Sequence, residues 1–207
     1  MVVTASTLSP ISVMAIRHRF IRADHVLSSR RRCNCFNRME FEIRTAVSED
    51  AASVCKVLCR SISECCIEDH RNDGAILAAW LGNKTPGTVG TWLLAPDHYS
   101  LVAVADHEPV GVAMLTRAGK IVLCHVTPEV RFTGIGKSLL QAIEVQAGQW
   151  NLNELRVAST VTARDFYRRN GYRQIGKTTS VFGIETFTFS KRLCDSYQKR
   201  VVCKCAL

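Results

Sequence analysis

Three β-rich runs, SLVAVAD, VGVAMLT and KIVLCHV, follow one another from Ser100 to Val126, parted only by HEP and RAG. Parallel strands need a crossover of about a dozen residues or more, so gaps this short predict an antiparallel meander. The third run leaves through TPEVRFTG and enters IGKSLLQAIEVQAGQW, where Ile135, Leu139, Leu140, Ile143 and Ala147 share one side of a helix. The period thus changes from two to 3.6 across a single loop, and the loop carries two glycines at a helix start.

The flanks extend this pattern. FEIRTA, residues 41 to 46, alternates as a short strand, and Ser48 with Glu49 and Asp50 starts a helix that runs to about Cys66. Asp73 opens a second helical stretch, GAILAAWL, and Thr85-Pro86 a third, GTVGTWLL, since Pro suits the first helical position. Beyond the long helix, ELRVAS reads as a strand and TARDFYRRN as a short helix stopped by Gly171. YRQIGK and VFGIETFTFSKR close the pattern as two more strands. The expected fold class is α+β, a mixed α/β arrangement with a central, mostly antiparallel twisted sheet of about seven strands flanked by helices. Its order is written β-αα-βββ-α-β-α-ββ.

The loop between strand and helix is built for an anion. Gly136-Lys137-Ser138 imitates the end of G-x-x-x-x-G-K-[ST], but that motif needs a glycine where Arg131 stands. The dinucleotide fingerprint G-x-G-x-x-G fits Gly134 and Gly136 and then meets Leu139 at its third glycine. What remains is a helix N-terminus whose free N–H groups and dipole favour negative charge, with Arg131, Lys137 and Ser138 able to add to it.

Val126 to Leu140, V-T-P-E-V-R-F-T-G-I-G-K-S-L-L, resembles the coenzyme A signature of the GNAT superfamily of N-acetyltransferases, V-x-P-x-x-[RQ]-G-x-G-[IV]-G-x-x-L. Phe132 stands where the family has its first glycine. Thr162 to Tyr172, T-A-R-D-F-Y-R-R-N-G-Y, resembles the family's A-x-x-F-Y-x-x-x-G-[FY]. The order of elements over residues 41 to 190 is that of the family as well. The resemblance implies the GNAT acyltransferase fold and acetyl-coenzyme A as cosubstrate, with Cys124, Val126, Arg131, Phe132, Thr133, Gly134, Ile135, Gly136, Lys137 and Ser138 as its binding residues. It implies acetyl transfer to a primary amine by direct attack through a tetrahedral intermediate. Within it, Val126 is the foremost backbone donor to the carbonyl oxygen, and Tyr167 is the acid that protonates the leaving thiolate. An alkyl amine of pKa about 10.4 is largely protonated at neutral pH, so a base is expected too. His125 is the first candidate, with Glu68 and His70 behind it. The acceptor is a small molecule or a protein amine, and a homodimer is compatible with the pattern. The alternative reading is a non-catalytic coenzyme A-binding sensor or scaffold.

The net charge of +9 is concentrated outside this pattern. Residues 1–38 carry seven arginines against one acid, Asp24, so they hold six of those charges. We read residues 1–38 as a basic extension outside the fold, residues 39–192 as the N-acetyltransferase domain and residues 193–207 as a tail. A targeting peptide or a nucleic-acid-binding arm are the other readings of the extension. The small residual charge of the domain argues against a nucleic-acid partner. No stretch approaches the roughly 20 apolar residues of a membrane span, and no secretory layout precedes the pattern, so a cytoplasmic protein without disulfides is expected. Of the ten cysteines, Cys55, Cys59 and Cys66 share a helical stripe with Leu58 and Ile62 and read as core. The pairs Cys33/Cys35 and Cys203/Cys205 have the wrong spacing for a zinc site, so no metal is expected.

Overall fold

The computed structural model describes residues 40–193. The basic extension up to residue 38, the tail from residue 194 and the two Cys-x-Cys pairs lie outside the described residues.

Alternation produces the expected strands: β1 Glu42–Thr45, β2 His98–Ala105, β3 Glu108–Thr116, β4 Lys120–Val126, β5 Glu154–Ser159, β6 Arg173–Thr179 and β7 Glu185–Arg192. They form one mixed sheet in the order β1-β2-β3-β4-β5-β7-β6. Every pairing is antiparallel except β4 with β5. Residues Val181 to Ile184, expected in the last strand, instead form its entry turn, because Ser180 Oγ accepts from the Phe182 and Ile184 N–H groups at 3.2 Å.

Four helical pieces, rather than the two written in the expected order, join β1 to β2. They are α1 Ala51–Arg60, the single turn α2 Ile67–His70, α3 Gly74–Leu81 and α4 Pro86–Leu94. The carboxylate of Asp50, not the hydroxyl of Ser48, secures the start of the first: it accepts from Val47 N–H at 2.9 Å and pairs with Arg44 at 2.6 and 2.7 Å. Asp73 and Thr85 act as the expected caps of α3 and α4. The α1 helix continues through a π-helical turn, Ser61–Cys65, at the start of which Ser61 Oγ reaches His125 Nδ1 of β4 at 3.1 Å.

On the other face lie α5 Ile135–Gln149 and α6 Arg164–Arg169. Buried Ile135, Leu139, Leu140, Ile143 and Ala147 of α5 pack with Leu115, Ile121, Leu155, Tyr167 and Phe189. On the α1 side, Val54, Cys55 and Leu58 pack with Val89, Val102 and Val112. Of the cysteine stripe, Cys55 and Cys66 are buried and Cys59 half-buried. After α6, Gly171 takes φ +85°, Tyr172 N–H donates to Tyr167 O, and Gly171 N–H to Arg168 O. Those two bonds close the helix.

Candidate functional site

Strands β4 and β5 pair over only two residues, Lys120 with Arg156 and Ile121 with Val157, and then separate. Along the rest of β4 the direction of each N–H follows from its antiparallel partner. Thr127 N–H donates to Val110 O, which makes Gly111 and Val126 a pair without mutual hydrogen bonds. Val126, and Cys124 two residues before it, therefore turn their N–H and C=O groups away from β3 and toward the gap that β5 has left. Opposite Val126, a Cβ at Gly111 would crowd Leu139 Cδ1 at 3.0 Å and Val126 Cγ1 at 3.1 Å, so a larger residue there would press on both.

The loop beyond β4 forms a short 3-10 turn at Pro128–Val130 and delivers the chain to α5. The first bond of that helix is Ser138 N–H to Gly134 O, so the N–H groups of Ile135, Gly136 and Lys137 have no partner within it. Gly134 holds φ +98°, with nothing within 4 Å of where a Cβ would sit. Thr133 Oγ1 donates to Val130 O at 2.7 Å and braces the loop. Ile135 sends its side chain into the core and offers only its N–H, whereas Lys137 is exposed and Ser138 half-exposed at the helix start.

Phe132 explains its departure from glycine only in part. Its φ is +63°, a conformation in which a Cβ is strained, so the backbone asks for glycine there. The ring is 94% exposed, with the Arg131 guanidinium 5.0 Å from its centroid, so of this residue only the backbone is directed by the loop. Arg131 also contacts the Cys65 thiol at the end of the π turn. Glu129 is held by Arg60, which drives its carboxyl down to about 2 and rivets the loop to α1.

Tyr167 comes to this gap from α6. Its ring packs against Phe166, Tyr172 and Phe189 with centroids 5.2 to 6.2 Å away, and its hydroxyl meets the Cys124 thiol. Burial, reinforced by that neighbour, raises the phenol well above 10, and burial pushes the thiol up to about 12. Both stay protonated at neutral pH.

His125 points to the opposite face of β4. Its Nδ1 lies 3.1 Å from Ser61 Oγ, so the π turn positions the ring across 64 residues of sequence. Burial first, and the Lys84 ammonium second, lower its pKa to about 4. The imidazole is uncharged at neutral pH and a weaker base than a free histidine. Of the other base candidates, His70 has both ring nitrogens engaged: Nδ1 accepts from Asn72 N–H at 3.2 Å and Nε2 faces Ser63 O at 3.3 Å. It holds the α2 turn together. Glu68 is exposed. Asp69 accepts from Val161 N–H at 2.7 Å, so the segment from Ser61 to Asp69 bridges the mouth of the gap from β4 to the loop after β5.

The structure therefore brings Cys124, Val126 and Tyr167 to one side of the gap and His125 to the other, with the Gly134–Gly136 loop following the end of β4. The sequence carried no signal for Ser61 or the Arg60–Glu129 clamp, since both depend on pairing across more than 60 residues. Among the described residues no group of three or more His, Cys, Asp or Glu side chains could hold a metal, and no helix is long and apolar enough to cross a membrane.

A family model described as an acetyltransferase (GNAT) domain matches residues 74–193. No curated protein matches the chain. Among solved structures, a GCN5-related N-acetyltransferase from Rhodopseudomonas palustris superposes with a TM-score of 0.69 at 24% identity, covering 75% of this chain and 98% of that one. The PaiA N-acetyltransferase from Thermoplasma acidophilum, solved in complex with coenzyme A, gives 0.63 at 21% identity, covering 75% and 100%. A probable acetyltransferase from Staphylococcus epidermidis gives 0.60 at 16%, with the same coverage. At these identities the likeness is one of fold.

Proposed function

This chain belongs to the GNAT acetyltransferase family, and from that premise we propose that it transfers an acetyl group from acetyl-coenzyme A to a primary amine. One arrangement carries the proposal: the backbone N–H of Val126 faces the gap between β4 and β5 on the side where the buried Tyr167 hydroxyl also arrives.

The residues fit the cosubstrate. Three first-turn N–H groups of α5, with Arg131 and Lys137 beside them, suit a pyrophosphate, and hydrogen bonds to a charged partner contribute about 1.5–3 kcal/mol each. The unpaired edges of β4 and β5 can take an extended amide-bearing arm as an added strand. Acetyl-coenzyme A supplies an activated thioester carbonyl. Val126 N–H is aimed where that carbonyl oxygen gains charge, without reorganisation during the reaction. Tyr167, protonated at every physiological pH, donates to the departing sulfur. His125 lies on the acceptor side. With Nδ1–H given to Ser61 Oγ, its Nε2 lone pair receives a hydrogen bond from the amine and orients it. Its low pKa suits it to orienting more than to removing a proton from an alkylammonium.

A thermal-shift titration with acetyl-coenzyme A, followed by thiol release against a panel of amines, peptides and aminoglycosides, tests this. Stabilisation and turnover are expected. Absence of stabilisation at millimolar cosubstrate would overturn the proposal, and stabilisation without any turnover would replace it with a non-catalytic coenzyme A-binding module.

A further inference from the structure

The His125 face of β4 looks onto a cation that no carboxylate among the described residues pairs with. Lys84 lies half-buried in the turn between α3 and α4, where its Nζ donates to Trp80 O at 3.0 Å and contacts Asn83 Oδ1. The ammonium sits 5.6 Å from the Trp92 ring centroid and 5.5 Å from that of Phe182. Its backbone is fixed from α1, since the Cys55 thiol donates to Lys84 O at 2.9 Å. Among the described residues no salt bridge includes Lys84. The titratable groups acting on it are the thiols of Cys55 and Cys59.

Two neutral oxygens and two ring faces offset only part of the cost of desolvating an ammonium. Capping the last carbonyls of α3 uses one of its three N–H groups and would be served equally by a lysine in open solvent. The surroundings locate the charge functionally. Trp80 and Phe182 pack with Ile62 and Ile184, and Ile62 follows Ser61, which holds His125. The charge of Lys84 reaches the His125 ring and opposes its protonation. By the same field it opposes a second positive charge on an acceptor.

We propose that Lys84 selects acceptors whose reacting primary amine is accompanied by an anionic group, a carboxylate or a phosphate, which pairs with the ammonium beside Trp92 and Phe182. The inference rests on the acetyltransferase reading above and names the class of its acceptor. Polyamines fall outside that class, because they bring only positive charge to the site.

Matched acceptors test it: free amino acids, the same amino acids as C-amides, and aminoalkyl phosphates, each assayed by thiol release with the full chain. The wild type is expected to show a kcat/KM at least about tenfold higher for the anionic members, a separation typical of one charge-assisted contact. In Lys84→Met the ratio of anionic to neutral falls to about one, through KM of the anionic member, and Lys84→Arg restores most of it. The carboxylate and phosphate arms show which anion is preferred. Equal turnover of acid and amide by the wild type, a preference for a polyamine, or a preference that survives in Lys84→Met would each overturn the inference. Failure of the parent reading looks different, as no acceptor releases thiol. The N-acetylated acids and amides added to the coenzyme A-loaded protein then still decide: stabilisation by the acid alone, lost in Lys84→Met, upholds the anion site, and equal or absent stabilisation rejects it.

Discussion

The Tyr167 hydroxyl meets the Cys124 thiol on the part of β4 that β5 does not pair, so an α6 side chain and a strand whose N–H groups face a gap converge on one point. Burial holds both groups in the protonated form, and the contact reinforces this for Tyr167 while opposing it for Cys124. Tyr167 can then act as an acid, but not as a base.

Replacing Tyr167 with Phe keeps the ring among Tyr172 and Phe189 and removes only the hydroxyl. We expect kcat to fall by about 10²- to 10⁴-fold, the usual worth of a positioned acid. The thermal shift produced by coenzyme A should remain near wild type. An equal loss in both measurements would mean that Tyr167 only packs.

Cys124 should be a slow thiol. A pKa of about 12 against an ordinary 9 lowers the thiolate fraction at pH 8 about a thousandfold. Higher nucleophilicity of the more basic thiolate recovers part of this, leaving alkylation about 30- to 60-fold slower than for a free cysteine. Peptide mapping after timed iodoacetamide treatment reads the rate directly; labelling at the free-cysteine rate would contradict the buried contact with Tyr167.

His125 makes stability depend on pH in a defined window. Its folded pKa of about 4 lies below the unfolded 6.5, so the unfolded chain binds more protons between those values. The contribution is therefore fully present above pH 6.5 and is lost as pH falls toward 4, by at most about 3 kcal/mol. Urea midpoints measured from pH 7.5 to 4.5 should decline less steeply in His125→Gln than in the wild type. Parallel declines would show that His125 is not held uncharged.

Phe132→Gly should not weaken the loop. Left-handed backbone costs a residue with a Cβ about 1–2 kcal/mol, and the glycine loses about 0.4–1 kcal/mol through a freer unfolded chain. The exposed ring contributes little packing. A net gain of up to about 1 kcal/mol in urea unfolding is expected, with coenzyme A affinity retained or improved. A loss above about 1 kcal/mol would mean that the Arg131–Phe132 contact holds the loop together.

Much of the architecture was legible along the chain because it is local. Alternation at Ser100 to Val126 is enough for a meander, and the stripe from Ile135 to Ala147 is enough for a helix, since each is a pattern among neighbours. The free N–H groups at the start of α5 were legible for a related reason: a helix start with Gly134 and Gly136 exposes them wherever it lies in the molecule. Helix ends were less legible. The π turn at Ser61–Cys65 and the use of Asp50 rather than Ser48 at the first helix depend on Arg44 and on the approach of β4, neither of which is a local pattern.

By itself, then, the sequence determined the strands and main helices, the order in which they occur and the glycine-marked start of α5. Tertiary structure alone decided which side chains meet around that helix start. The gap between β4 and β5 follows from a pairing of only two residues between strands more than 30 residues apart. The uncharged state of His125 arises from burial and from the nearby Lys84, and the charge of Lys84 has no carboxylate partner among the described residues. Hydrophobic period is set by neighbours in the chain, whereas dielectric and charge pairing are set by neighbours in space.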